Sequence, residues 1–272
     1  MEKISACVIS FNDEHTIAWS VGSVQWADEI VVVDTGSTDR TIEIAERLGA
    51  RVVRTAPFQG FGEIRARATA ECRHEWILSL DSDEHCPPAA REEIIALLAA
   101  AAAHDAYLVP RHNYFMGRLI RGSGWYRSCR TPQLFRKDRM RYVPSLTHES
   151  YELLSDRPVG RLENVFLHYP FHDLEEVLHK TNVISSLGAR TPSNNPPSMW
   201  SALGHGLWAF ARLYVLKGGF VDGWAGFIIA LSNFEGTFYR YAKRYEHAHG
   251  FHLPPEAERI ASSEKRLASG EQ

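Results

Sequence analysis

The chain has 272 residues, 44% of them hydrophobic and 11% aromatic, which is enough to bury a full core in one large domain or one domain with an appendage. Its formal net charge of -3 argues against the global basic field used for nucleic-acid binding, so any anionic partner is met locally. Cys7, Cys72, Cys86 and Cys129 lack CxxC spacing, which suits reduced thiols better than a disulfide framework or a zinc site.

The first residues, "MEKISACVISFND", are charged at once and then turn to a strand pattern, so the long apolar stretch of a signal peptide is missing and a cytoplasmic location is expected. "ISACVISF" reads as a strand, and the segment after it carries apolar residues at helical spacing with Asn12 and Asp13 as N-cap candidates. "EIVVVD", "ARVVRT", "EWILSL" and "AYLVPR" read as further strands. Between them "STDRTIEIAERLG", "GEIRARATAEC" and the proline-started "PPAAREEIIALLAAAAA" read as helices. Apolar strands separated by helix-length connections predict an α/β fold, a mostly parallel sheet with helices on both faces.

Such sheets bind ligands at the carboxyl ends of their strands. Three polar motifs fall there: Asn12 and Asp13, "DTGSTD" from Asp34 to Asp39, and "DSDE" from Asp81 to Glu84. Asp39 is explained by helix capping, whereas Asp34, ending an apolar strand, is placed to accept hydrogen bonds from a ribose or a base edge. No GxGxxG follows any strand, which speaks against nicotinamide or flavin. Asp81 and Asp83 are two residues apart, so on an extended chain their side chains point the same way and can share a divalent cation, Mg²⁺ or Mn²⁺, bound in turn to phosphate oxygens. The alternative is an acidic loop that merely caps the next helix.

The ordered set "ISFNDE", "VVVDTGSTDRT", "FGEIRARA" and "ILSLDSDE" resembles the GT-A (Rossmann-like) domain of family 2 glycosyltransferases, and with "THE" and "LHY" it is similar to the bacterial lipopolysaccharide core β-1,4-glucosyltransferase group, over about residues 3 to 246. That resemblance implies an inverting enzyme using a nucleotide-diphosphate sugar, with Asp34 holding the nucleoside, Asp81 and Asp83 holding ribose and metal, and a basic residue near the diphosphate. Many relatives carry "ARN" where this chain has "RARA", so Arg65 and Arg67 both qualify, with Arg65 preferred for its spacing to Asp81. His148 and Glu149 in "PSLTHESYE" fall, by the resemblance, near the sugar donor. Glu149 is the expected catalytic base and Asp138 and Asp156 are weaker substitutes; His148 either orients Glu149 or touches the diphosphate. His168 follows a strand-like run, where the resemblance implies a histidine that completes the metal shell; the alternative is a hydrogen-bonded core histidine.

Residues 111–142 concentrate nine arginines and lysines among aromatics, either a solvated basic loop and hairpin or a receiver of an acidic acceptor, with Trp125 available to stack on a sugar. From Met199 to Tyr245 aromatics and glycines are dense, but charges interrupt every apolar run well short of a span of about 20 residues. Two amphipathic helices broken at "KGGFVDG" either lie on an anionic membrane surface or pack against the sheet or another subunit. The expected organisation is a catalytic domain over 1–190, a helical appendage over 191–254 and a loosely ordered tail over 255–272. The expected activity is transfer of a hexose, glucose from UDP-glucose, to a glycan or glycolipid acceptor; the rivals are a sugar nucleotidyltransferase and a non-catalytic, membrane-associated nucleotide-sugar-binding protein.

Overall fold

A computed structural model describes residues 2–55, 60–100, 102–143, 150–191 and 197–250, together with Ala257. The first half alternates as expected: β1 (Ile4–Ser10), α1 (Ile17–Ser23), β2 (Glu29–Asp34), α2 (Thr41–Arg47), β3 (Arg51–Arg54), α3 (Phe61–Glu71), β4 (Trp76–Asp81), a two-residue β5 (Glu84–His85) and α4 (Pro88–Ala99). The proline of α4 sits in its first turn, where a missing N–H costs nothing, and the helix ends at Ala99 rather than running through the alanine tail. The second half is strand-rich: β6 (Ala106–Leu108), β7 (Arg111–Phe115), β8 (Arg118–Leu119), β9 (Pro132–Arg136), β10 (Met140–Val143), β11 (Ser150–Leu153), β12 (Gly160–Arg161) and β13 (Phe166–His168).

Seven strands form the main sheet in the order β12-β6-β9-β4-β1-β2-β3. It is parallel except at β9, which runs antiparallel to both β4 and β6, so the fold is α/β with a parallel centre. Strand β1 is flanked by β2 and β4, with Ser10 level with Asp34 and Ile9 level with Asp81. The chain order switches at β1, and that register brings the three polar motifs to one edge.

Side-chain alternation along β1 explains how both faces are covered. Ile4, Ala6 and Val8 join a cluster with Ile17 and Val21 of α1 and Ile94 and Leu98 of α4. Cys7 faces the other way, among Ile64 and Ala68 of α3 and Phe135 of β9. Leu78 is fully buried, and trimming it to alanine would cost about 2–5 kcal/mol through lost transfer energy and the cavity left behind.

A helical layer follows. Helix α5 (Leu174–Arg190) is capped by Asp173, whose side chain accepts from the Glu176 N–H, with acids in the first turn and Arg190 in the last, complementing the helix dipole. Helices α6 (Met199–Ala211) and α7 (Gly223–His249) are joined by a π-helical turn at Arg212–Leu216 and a 3-10 turn at Gly219–Asp222. Lys243 of α7 donates to Asn182, Ser185 and Ser186 of α5, which ties α7 to α5. No single helix among the described residues is long and apolar enough to cross a membrane; α6 and α7 pass that test only as a pair bent by 72°.

The corner between α6 and α7 is locked to the sheet domain. Asp222 is 1% exposed and accepts from the backbone N–H groups of Arg121 and Gly122 at 3.0 and 2.6 Å. A Cβ at Gly122 would overlap the carbonyl of Gly218, and one at Gly226 the carbonyl of Gly219, so backbone lies on backbone at both points.

Candidate active site

The loops after β1 and β2 are laced together. Asn12, in the left-handed region at φ 56, takes the Thr38 N–H on its Oδ1 at 2.8 Å, while its own N–H donates to Ser37 Oγ at 2.7 Å. The N–H groups of Asp13 and Glu14 donate to Thr41 Oγ1 and Asp39 Oδ2. Asp34 is fully buried, and its carboxylate accepts from Gly36 N, Ser37 N, Ser37 Oγ and Ser10 Oγ at 2.5–3.1 Å. These bonds make Asp34 the organiser of the turn, in which Gly36 and Thr38 are exposed and Ser37 half-buried, with exposed Asn12 beside it.

The "DSDE" segment divides its three carboxylates among three tasks. Asp81 ends β4 and its Oδ1 receives Arg65 Nη2 at 2.7 Å. Arg65 is 4% exposed, donates also to Ser79 Oγ at 3.0 Å, and lies 5.8 Å from the Tyr142 ring centre; Arg67 is exposed. Glu84 is completely buried, paired with Arg111 at 2.7 Å, and accepts from Gln133 Nε2 at 2.6 Å and from the Asp81 N–H. Asp83 faces His168, Oδ1 to Nε2 at 3.4 Å. The expectation that Asp81 and Asp83 project together is overturned, because the chain turns at Ser82 and Asp83 instead of staying extended.

Among the described residues no group of three or more His, Cys, Asp or Glu side chains converges as a ready metal site; Asp83 faces His168 while Asp81 is turned to Arg65. The Asp83–His168 pair nonetheless suits a hard cation. Asp83 Oδ1 is buried without a hydrogen-bond partner, and the contact to His168 is not aligned as a hydrogen bond. His168 Nδ1 meets Asn113 Oδ1 at 2.6 Å, and the Asn113 amide is oriented by donating to the Trp125 carbonyl and to Ser128 Oγ. That contact holds the proton on Nδ1 and turns Nε2 toward Asp83, the arrangement that orients metal-binding imidazoles. Two protein ligands with the remainder from diphosphate oxygens is the usual economy of Mg²⁺-type sites.

Charge around the pair is mutually adjusted. Burial alone would lower the His168 pKa, but the Asp83 carboxylate, aided by Glu84, outweighs it and the net shift is upward. Burial would raise Asp83, and His168, Lys180 and Arg111 outweigh that, so it sits below the usual range. Asp13 is pushed up, by burial first and also by the charge of Asp83, against hydrogen bonds from Ser82 and the Phe11 N–H. Asp13 is the residue the sequence marks beside Asn12 at the end of β1, whereas Arg111, Asn113 and Lys180 were not singled out from it.

A cleft of about 940 Å³ opens from this edge, lined by Phe11, Asn12, Asp13 and Asp83 on one side and by Tyr114, Tyr169 and Lys180 on the other. Tyr114 and Tyr169 stack at 4.9 Å, and Tyr169 is 41% exposed, a ready aromatic platform. His148 and Glu149 lie outside the described residues. The strands leading into and out of them, β10 and β11, pair at Tyr142 and Tyr151, and Tyr142 is the residue beside Arg65. Asp138 pairs with Arg139, beyond the end of antiparallel β9, and Asp156 lines a hollow with Arg136 and Arg139. Arg136 is level with Trp76, the first residue of β4, so both substitutes for the base are at the sheet edge opposite Asp81.

The model of the family "Glycosyl transferase family 2" matches residues 5–151. An uncharacterized glycosyltransferase of Rickettsia felis is 30% identical over 266 residues, covering 90% of each chain. The lipopolysaccharide core biosynthesis glycosyltransferase LpsC of Rhizobium meliloti is 28% identical over 253 residues, covering 89% of this chain and 92% of that one. Among solved structures, Staphylococcus aureus TarS with UDP-GlcNAc aligns over 93% of both chains at 15% identity and a TM-score of 0.48. Glucosyl-3-phosphoglycerate synthase of Mycobacterium tuberculosis with Mn²⁺ and UDP-glucose aligns over 42% of this chain and 44% of that one at 28% identity and a TM-score of 0.35. The family match spans more than half of the chain and falls on the sheet edge just described, so this protein belongs to glycosyl transferase family 2, with a GT-A-like α/β domain and a C-terminal helical layer.

Proposed function

We propose that this protein is an inverting, metal-dependent hexosyltransferase that moves glucose from UDP-glucose to a glycan or glycolipid acceptor such as the lipopolysaccharide inner core. The observation that carries the reading is the pairing of Arg65 with Asp81 and of Asp83 with His168 at the carboxyl edge where the sheet order switches. Similarity to LpsC over most of the chain supports the acceptor class.

Asp83 and His168 would hold Mg²⁺ or Mn²⁺, which when bound supplies a Lewis acid that offsets charge on the departing diphosphate. Arg65, held by Ser79 and Asp81, adds a fixed positive group on the same edge. Asn12 and the turn organised by Asp34 serve the nucleoside side, and Asp81 the ribose. Glu149 takes the proton of the acceptor hydroxyl as that oxygen bonds to the anomeric carbon and the bond to the diphosphate breaks, which inverts the configuration; His148 orients it. Trp200 and Trp224, 83% and 76% exposed, sit on α6 and α7 and suit the inner face of the cytoplasmic membrane.

The test is a panel of nucleotide-sugar donors with and without divalent cation, scored for nucleotide diphosphate release and then for acceleration by candidate acceptors. Cation-dependent UDP release from UDP-glucose, lost in Asp83→Ala, is expected. Full turnover of Asp83→Ala in EDTA overturns the metal assignment.

A further inference from the structure

Beside the donor cleft lies a second, smaller pocket of about 180 Å³, with room for several waters or one ring-sized group. Two helix faces wall it: Val177, Lys180 and Ile184 of α5, and Ile229, Gly236 and Arg240 of α7, each set at helical spacing. Its third wall is aromatic, with Trp125 and Phe171 stacked at 6.4 Å and Phe115 edge-on to both. Phe115, Phe171 and Lys180 also line the donor cleft, so the two spaces share a wall.

The charge of the two spaces differs. Asp13, Asp83, Asp173, Glu175 and Glu176 line the donor cleft, whereas the second pocket has Lys180 and Arg240 and no carboxylate in its lining. Lys180 is held in place by the Pro170 carbonyl at 2.8 Å and by Glu176 at 2.7 Å. Arg240 forms no salt bridge among the described residues, and its Nε is buried without a hydrogen-bond partner. It lies in that position because residue 188 is glycine: a Cβ there would come within 2.8 Å of Arg240 Nε. That nitrogen is packed against α5 at Gly188, while Arg240 as a whole is half-buried and lines the pocket.

Aromatic plates recognise the apolar face of a pyranose, and a guanidinium recognises a carboxylate or phosphate. We infer that this pocket binds an anionic sugar of the acceptor, a pyranose bearing a carboxylate or phosphate, with Trp125 and Phe171 against the ring and Arg240 on the anion. This rests on the reading of the chain as a glycosyltransferase acting on a glycan. The pocket thus selects the acceptor by a residue next to the one that is glycosylated, and the acidic sugar never enters the donor cleft.

The experiment uses the full chain with saturating UDP and Mg²⁺, so that the donor site is filled, and measures binding of glucuronate, glucose 6-phosphate, glucose and inorganic phosphate by saturation-transfer NMR and titration. Either or both acidic sugars should bind at least about tenfold more tightly than glucose or phosphate alone, and Arg240→Ala should weaken them by about tenfold or more, the loss expected for one charged hydrogen bond. Gly236→Leu, which favours the helix and projects into the pocket, should abolish that binding. Equal binding of glucose or of phosphate alone, or acidic-sugar binding unchanged in both variants, overturns the proposal. UDP affinity is read in the same samples without saccharide: its absence in the unmodified chain counts against the donor-site reading, while the saccharide comparison still decides the pocket.

Discussion

Arg65 and Asp81 meet at the edge of the sheet with Nη2 2.7 Å from Oδ1, the arginine almost wholly buried and the aspartate 31% exposed. The pair ties α3 to the end of β4 and fixes a cation where a diphosphate is expected. Replacing Arg65 by Met removes the partner of Ser79 and one partner of Asp81, and should cost about 2–4 kcal/mol, toward the lower end because water screens Asp81. Arg67→Met, on the surface, should stay within about 0.5 kcal/mol. Urea unfolding of the two variants checks the stability claim, and UDP titration should show weakened binding only for Arg65→Met.

Asn113 is not itself placed on the cation, yet it fixes the tautomer of His168. Asn113→Ala should lower affinity for Mn²⁺ by about 10- to 100-fold, as loss of such orienting groups does elsewhere. Titration of the cation in the presence of UDP measures it. Unchanged affinity would leave His168 as a core histidine paired with Asp83.

Glu149→Gln keeps size and hydrogen bonding while losing basicity. We expect kcat to fall about 10²- to 10⁴-fold with near-normal donor Kd. A parallel fall in donor binding would move Glu149 to the donor site, and transfer within a few-fold of the unmodified enzyme would remove it as the base. Asp138 and Asp156 are poor replacements, since both lie at the far edge of the sheet.

Binding to vesicles of anionic lipid should weaken as salt rises, because attraction at a surface is screened beyond a Debye length of about 8 Å at physiological ionic strength. Trp200→Ser with Trp224→Ser should reduce it further without changing the melting temperature, as both side chains are exposed. Recovery in the supernatant unaffected by vesicles would indicate that these helices meet protein instead.

Asp39 gives a pH signature. Burial opposes its charge, but hydrogen bonds from Thr41 Oγ1, Thr41 N and Glu14 N outweigh that, and its pKa lies below the usual aspartate value. The folded state therefore binds this proton less readily than the unfolded chain. Its contribution is complete above the usual aspartate pKa and is lost as the pH falls through the depressed one. Asp39→Ala should lower stability by about 1–2 kcal/mol at neutral pH and flatten part of the acid limb of a melting-temperature profile; Glu29 and Asp83, also depressed, contribute to what remains of it.

The alternation of strands and helices through α4 was legible because each element repeats its period cleanly and ends on a turn residue or proline. The convergence of Asn12, Asp34 and Asp81 was legible too, since the strand order of such sheets places those ends together. What could not be read is how the carboxylates divide. Asp34 spends its oxygens on its own turn, Glu84 is claimed by Arg111 and Gln133 from strands far along the chain, and the turn at Ser82 separates Asp81 from Asp83. Asn113 and Arg240 were hidden for the same reason: their significance lies in His168 and Gly188, 55 and 52 residues away in the numbering.

The contact of Gly122 on Gly218, with Asp222 clasping the loop above it, sets backbone directly on backbone between the helical corner and the sheet domain. With the exposed tryptophans of α6 and α7 resting on a lipid surface, the mouth of the cleft would stand at a constant height and angle above it. The enzyme would then act as a ruler, reaching only those hydroxyls that an anchored acceptor presents at that height, and lengthening the acceptor by one sugar would itself carry the product out of range.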